Sequence, residues 1–225
     1  MLMKSNRIII TAASITGILA SVADFLVEYI LAAHYPGYSH LTDTFSKLGS
    51  TASPVGRIIS YWWMIYSVLI VFFGYGFYLY FKRKGKPGIL AAWLVIIYAL
   101  GEGMGSGLFP ANYLKHGFTL SLIIHDTFSG IGIGCIIILP IVMMQIFPKE
   151  KHRSFYTYSI IVTAVGLVML VFFSLAKIFD DPRSVLLGYK GLWQRLMLAD
   201  YYLFLIVIAF CMLFGINSFS TKSPD

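Results

Sequence analysis

Residues 58–86 read IISYWWMIYSVLIVFFGYGFYLYFKRKGK. From Ile58 to Phe81 no Asp, Glu, Lys, Arg or His interrupts the run, and Lys82, Arg83, Lys84 and Lys86 then crowd into a turn around Gly85. At about 1.5 Å of rise per residue such a run crosses the roughly 30 Å of a bilayer's hydrocarbon layer as one helix. The turn is too short and too basic to be part of a soluble core. Windowed hydropathy repeats the pattern along the chain and predicts spans at residues 8–30, 58–81, 88–108, 120–147, 156–177 and 193–216. The expected fold is therefore an all-α polytopic bundle of six transmembrane helices, one integral membrane domain over residues 1–225.

Composition excludes the alternatives. The 225 residues are 58% hydrophobic and 12% charged, and mean hydropathy is +0.79, whereas soluble domains carry about 25% charged residues. The net charge of +7 sits in short clusters between apolar runs and not along an aromatic-interleaved patch, so nucleic acid is not the expected partner. Cys135 and Cys211 both fall inside apolar runs and read as small buried residues. The first run follows Lys4 and Arg7 as a signal peptide would, but its length and the acids Asp24 and Glu28 favour a retained helix.

Six crossings put both termini on one side of the membrane. Ten Lys and Arg residues lie on that side, packed mainly into two short loops, against seven on the other. The positive-inside rule places the termini in the cytoplasm. Trp62 and Trp63, with Tyr61, read as an interfacial belt at the outer end of the second span. The outer connections are long: 31–57 contains Thr42-Asp43 ahead of Phe45 and Leu48, with Gly49 after, which predicts a short capped helical turn lying over the helix ends as a lid. In the connection 178–192, Asp180-Asp181-Pro182 predicts a helix start.

Five acids fall within the spans: Asp24, Glu28, Glu102, Asp126 and Asp200, all in the outer third. An ionised group facing lipid at that depth costs kcal/mol, so such residues turn to the bundle interior, a partner or water. Gly17, Ser21, Asp24 and Glu28 recur at intervals of three or four, one inward face. In the third span Gly103 and Gly107 suit close helix packing while Glu102 and Ser106 form a polar row. His125 precedes Asp126 in the fourth, a pair able to supply a general base or metal ligands, although consecutive helical residues point about 100° apart. A metal site would need assembly across helices, for example from Asp24, His125, Asp126 and Asp200. Pro140 predicts a kink toward the inner end of that helix. Arg195 enters the sixth span as a counter-charge, and an ion-paired network that simply ties helix ends together remains an alternative to a site.

The stretch PGYSHLTDTFSKLG at 36–49, GLFP at 107–110 with His125 downstream, and GLWQRL at 191–196 together resemble the bacterial six-helix membrane family known as domain of unknown function 998. The resemblance covers nearly the whole chain and implies an acidic residue before the arginine, where this chain has Gln194. The layout is more distantly similar to the Frag/DRAM/Sfk-type membrane proteins, which implies a connection to lipid.

The resulting expectation is lipid binding or lipid modification near the outer leaflet of a bacterial cytoplasmic membrane. His125, Asp126, Asp24, Glu102 and Asp200 are the candidate catalytic residues, and Arg195, Glu28, Ser46, Asp43 and His116 the candidate binding residues, with Ser46 on the lid also a possible nucleophile. Membrane lipid is the expected partner; cofactor and metal stay open. A non-catalytic sensor or scaffold using the same cavity is the alternative. A transporter is disfavoured because the inner halves of the spans contain no Asp, Glu or His.

Overall fold

The computed structural model describes residues 4–112, 119–179, 183–184 and 186–218. Its elements are α1 (Lys4–Ala32), α2 (Phe45–Leu48), α3 (Gly56–Phe81), α4 (Lys86–Tyr98), a π-helical segment (Ala99–Gly105), α5 (Ser106–Leu108), α6 (Leu120–Ile146), α7 (Arg153–Phe179) and α8 (Lys190–Ser218). Six of the resulting rods, with α4, the π segment and α5 counted as one, are long and apolar enough to cross a membrane. The helices outrun several predicted spans, α1 and α7 by a few residues at each end, because a helix continues through the interfacial layer after hydropathy has faded. Pro140 lies inside α6, which continues to Ile146.

The helices close a ring in chain order, α1–α3–α4–α6–α7–α8 and back to α1. Neighbours run antiparallel: Glu28 near the end of α1 meets Trp63 near the start of α3, and Ala13 meets Gly76 at the other end. At the α8–α1 closure, Gly191 abuts His40 and Asp43 while Gly215 abuts Tyr80 of α3. Both ends of the described chain therefore share one end of the bundle; the other is called distal here. Leu19, Val68, Trp93, Ile131, Val171 and Leu203 point outward and are exposed, as a lipid-facing surface requires.

The termini-side half of the core is an aromatic ladder. Phe73, Phe77 and Phe81 repeat every four residues along α3 and are essentially fully buried, and their rings continue through Phe147 and Phe155 to Phe204. Gly17 makes room for this stack, since a Cβ there would lie 2.6 Å from the Phe73 ring.

The distal half depends on glycines with two different faces. Gly101 and Gly105 abut Phe128 of α6, while Gly103 and Gly107 abut α3 at Ser67 and Ser60. One rod thus touches two neighbours at backbone distance. The wide π turn over Ala99–Gly105 rotates this run between them, and such turns often mark functional regions of helices.

Gly101→Ala would place a Cβ 2.5 Å from the Phe128 carbonyl oxygen and 2.9 Å from the Gly132 nitrogen. Backbone cannot swing aside as a side chain can. We expect a loss of about 1–3 kcal/mol in thermal unfolding of the detergent-solubilised protein. Gly134→Ala, whose Cβ would meet nothing within 4 Å, is expected to stay within about 0.5 kcal/mol of the parent.

Candidate functional site

At the distal end a cavity of about 20 Å³, room for about one water, is lined by Asp24, Glu28, Glu102, Ser46, Ser106 and His125, with Phe45, Trp63, Tyr66, Leu198 and Tyr202 completing its wall. α1, α2, α3, the π segment with α5, α6 and α8 all contribute to it.

The carboxyl groups are held by neutral donors. Asp24 accepts from Trp62 Nε1 at 2.7 Å and from the Tyr202 hydroxyl at 2.6 Å. Glu28 accepts from Trp63 Nε1 at 3.0 Å, and Glu102 accepts from Ser129 Oγ. None of the three carboxyl groups has a Lys or Arg within ion-pair distance among the described residues. Because each hydroxyl carries one hydrogen, the donation from Tyr202 to Asp24 orders a chain in which Tyr66 donates to Tyr98 and Tyr98 to Tyr202, over 3.1 and 3.2 Å. These buried tyrosines tie α3, α4 and α8 to α1.

His125 is 1% exposed. Its Nδ1 lies 2.8 Å from the Phe109 carbonyl oxygen and its Nε2 lies 3.1 Å from Ser46 Oγ. A carbonyl oxygen only accepts, so in the neutral ring Nδ1 carries the hydrogen and Nε2 accepts from the serine hydroxyl. This is a serine–histidine pair with the ring oriented by a backbone carbonyl, and it opens onto the acidic cavity. Ser106 Oγ, buried in the same wall, has no hydrogen-bond partner among the described residues.

Ser46 reaches His125 because α2 is pinned from the other side. Thr44 precedes α2 but supplies no side-chain cap; the Phe45 amide donates instead to Gln194 Oε1 of α8 at 2.8 Å. Arg195 Nη1 donates to the carbonyls of Asp43 and Gly191, both at 2.8 Å, and Nη2 donates to Tyr38 at 2.7 Å. Its guanidinium also sits 4.2 Å over the Phe45 ring. Gly49 ends α2 at φ −86°; its small size matters because a Cβ would press on the Trp63 ring.

Placement divides the residues expected from the sequence. Asp24, Glu28, Glu102, Ser46 and His125 converge on the cavity. Asp126 points away, paired with Lys177 at 2.9 Å on the outer face of α6, since a neighbour of an inward residue turns about 100° aside. Asp200 lies toward Tyr158 of α7 and Tyr201, with Oδ2 unpartnered, and misses the cavity. Asp43 pairs with Lys47 at 2.7 Å and accepts from the Ser39 amide. Among the described residues Arg195 is a counter-charge to no carboxylate at contact distance; its two terminal nitrogens bond to the lid and to Gly191, and its buried Nε has no partner there. The four residues Asp24, His125, Asp126 and Asp200 therefore form no common metal cluster, and no group of three His, Cys, Asp or Glu side chains among the described residues has metal-holding geometry. His116 and the 180–182 segment lie outside the described residues.

Trp62 and Trp63 correct the belt reading: both indoles turn inward as donors. Trp63, Tyr66, Tyr98, Tyr202, Ser106 and Gln194 escaped attention as site residues. Their signal was positional, with polar-tipped aromatics lying at the depth of the acids and Tyr98 four residues before Glu102.

The lid carries a titratable group outside the spans, His40. His40 stacks on Tyr29 at 4.3 Å and meets Tyr38 edge-on at 5.5 Å, with Nδ1 unpartnered. Burial and the Arg195 charge both lower its pKa below the usual 6.5. A group whose pKa falls on docking disfavours docking once the free form takes up a proton. We expect amide exchange over 38–48, corrected for intrinsic rates, to rise as pH drops below about 6.5. His40→Gln should flatten that rise.

No curated protein and no solved structure matches the chain. A family model does match, over residues 18–211, from the middle of α1 to the last third of α8. The matched region contains every residue that lines the cavity and every contact that pins α2. This chain, with its six membrane-crossing helices, thus belongs to the family described as Protein of unknown function (DUF998).

Proposed function

We propose that the protein handles membrane lipid at its distal end and that it cleaves or transfers a lipid acyl ester, with Ser46 as nucleophile and His125 as general base. The observation that carries this reading is the 3.1 Å contact from His125 Nε2 to Ser46 Oγ, with Nδ1 held on the Phe109 carbonyl. A nucleophile, a base within hydrogen-bond reach and a group that orients the base are the recurring parts of covalent catalysis.

In this scheme Ser46 Oγ bonds to the acyl carbon as its proton passes to Nε2. The bond from that carbon to the lipid alcohol then breaks, and the leaving oxygen takes the proton. Water repeats the sequence, giving a proton to Nε2 and releasing the acid and free Ser46. The Ser106 hydroxyl is an uncommitted donor in the same wall, suited to the charge that develops on the acyl oxygen. Glu28 and Glu102 offer acceptors for hydroxyls of a headgroup. Basic short loops at the termini side favour an orientation with the cavity toward the extracytoplasmic face of a bacterial cytoplasmic membrane.

The cavity as it stands admits about one water, so substrate entry requires α2 to lift. That small volume also favours a second reading, in which Ser46 and His125 are a latch holding the lid of a non-catalytic lipid sensor or scaffold.

A long-chain alkyl fluorophosphonate applied to membranes containing the full chain separates the two. On the catalytic reading a mass adduct forms on Ser46, disappears in Ser46→Ala, and forms about 100-fold or more slowly in His125→Ala. An unlabelled Ser46 in the parent protein would leave the latch. The lipidomes of cells making the parent, His125→Ala and Asp24→Asn chains at matched levels give an independent readout. One lipid class should shift with the parent alone; three matching lipidomes would remove the support for turnover.

A further inference from the structure

A second void, about 490 Å³, lies against the other side of the cavity wall. The two share chain segments residue by residue: Ser46, Trp63 and Ser106 face the cavity, whereas Gly49, Met64 and Gly107 face this groove. Gly107 keeps the wall thin, since a Cβ there would lie 2.7 Å from the Ser60 carbonyl oxygen and 2.8 Å from Met64. The first two turns of α3 form one flank of the groove, with Arg57, Ser60, Tyr61 and Met64 at helical spacing on one face.

The chemistry of that flank is cationic and unspent. Among the described residues Arg57 is the one charged residue of the groove's lining, and it is exposed. Neither its guanidinium nor the Ser60 hydroxyl has a partner among the described residues. By contrast, Arg195 uses both terminal nitrogens on the lid, and Lys47 and Lys177 are paired. Arg57 also stands at the start of a span that begins at Gly56, where the apolar helix surface gives way to the headgroup layer. A fork of donors at that depth matches a phosphate bidentately.

We propose that this groove binds the phosphate-bearing headgroup of an anionic membrane lipid, with Arg57 as its counter-charge and the Ser60 hydroxyl as a second donor. Tyr61 and Met64 offer apolar surface to the adjoining acyl chains. The site rests on the lipid-handling reading of the bundle and is independent of catalysis at Ser46.

Native mass spectrometry of the detergent-solubilised full chain, loaded with phosphatidylglycerol or phosphatidylcholine, tests this. One interfacial arginine is worth about a fivefold preference, so phosphatidylglycerol should be retained about fivefold better. Arg57→Gln should bring the two lipids to parity, and Arg57→Lys, which keeps the charge but loses the fork, should keep only part of the preference. Ser60→Phe, which fills the groove and leaves the charge in place, should lower retention of phosphatidylglycerol, and it decides the matter if Arg57→Gln fails to fold. Parity in the parent, a preference that survives Arg57→Gln or Ser60→Phe, or displacement of the lipid by inorganic phosphate would each overturn the site. A parent that shows the Arg57-dependent preference while Ser46 resists the fluorophosphonate overturns catalysis alone; labelling without the preference overturns the groove alone.

Discussion

A carboxyl group inside a membrane span must find hydrogen-bond donors, because neither water nor lipid tails will supply them. Asp24, Glu28 and Glu102 meet that demand with Trp62, Tyr202, Trp63 and Ser129, drawn from three other helices. The distal architecture follows from this. α1 cannot rotate without stranding two acids, α3 must present adjacent indoles toward it, and α8 must bring Tyr202 into register. The termini-side half is held instead by the Phe73–Phe77–Phe81 ladder and by Gly17, through dispersion contacts that are not directional.

The lid is subordinate to the same end of α8. Gln194 and Arg195 are neighbours that do different work on one loop: the amide oxygen satisfies the buried Phe45 N–H, and the guanidinium gathers Asp43, Gly191 and Tyr38. A four-residue helix has no stability of its own. α2 exists where it does because α8 caps it, Trp63 seats its end, and His125 meets Ser46. Placing the serine on the least self-sufficient element gives the cavity a part that can move while the five surrounding helices stay fixed.

Backbone contact between helices made this geometry possible. With glycines alternating toward α6 and α3, the π-helical rod comes close enough for Glu102 and Ser106 to reach the space between α1 and α6. On the same segments, Trp63 and Ser106 line the acidic cavity while their neighbours Met64 and Gly107 line the Arg57 groove. Two voids, one lined by carboxyl groups and the other by an arginine, therefore share neighbouring residues at the distal end.

Much of the molecule was legible in the order of its residues. Run length and charge placement specified six spans and their turns, since hydrocarbon thickness and the cost of burying charge act on every residue in the same way. The inward face of α1 was legible from the spacing of Gly17, Ser21, Asp24 and Glu28, and His125 and Ser46 were visible as candidates. Depth, however, is a single coordinate. Asp126 and Asp200 share the depth of the cavity and miss it, because the rotation of a helix about its own axis is decided by how neighbours pack. Only the tertiary structure decided that Trp62 and Trp63 turn inward, that Gln194 caps a helix far away in the chain, and that Ser46 meets His125. Those contacts join residues distant in sequence, and no local periodicity records them.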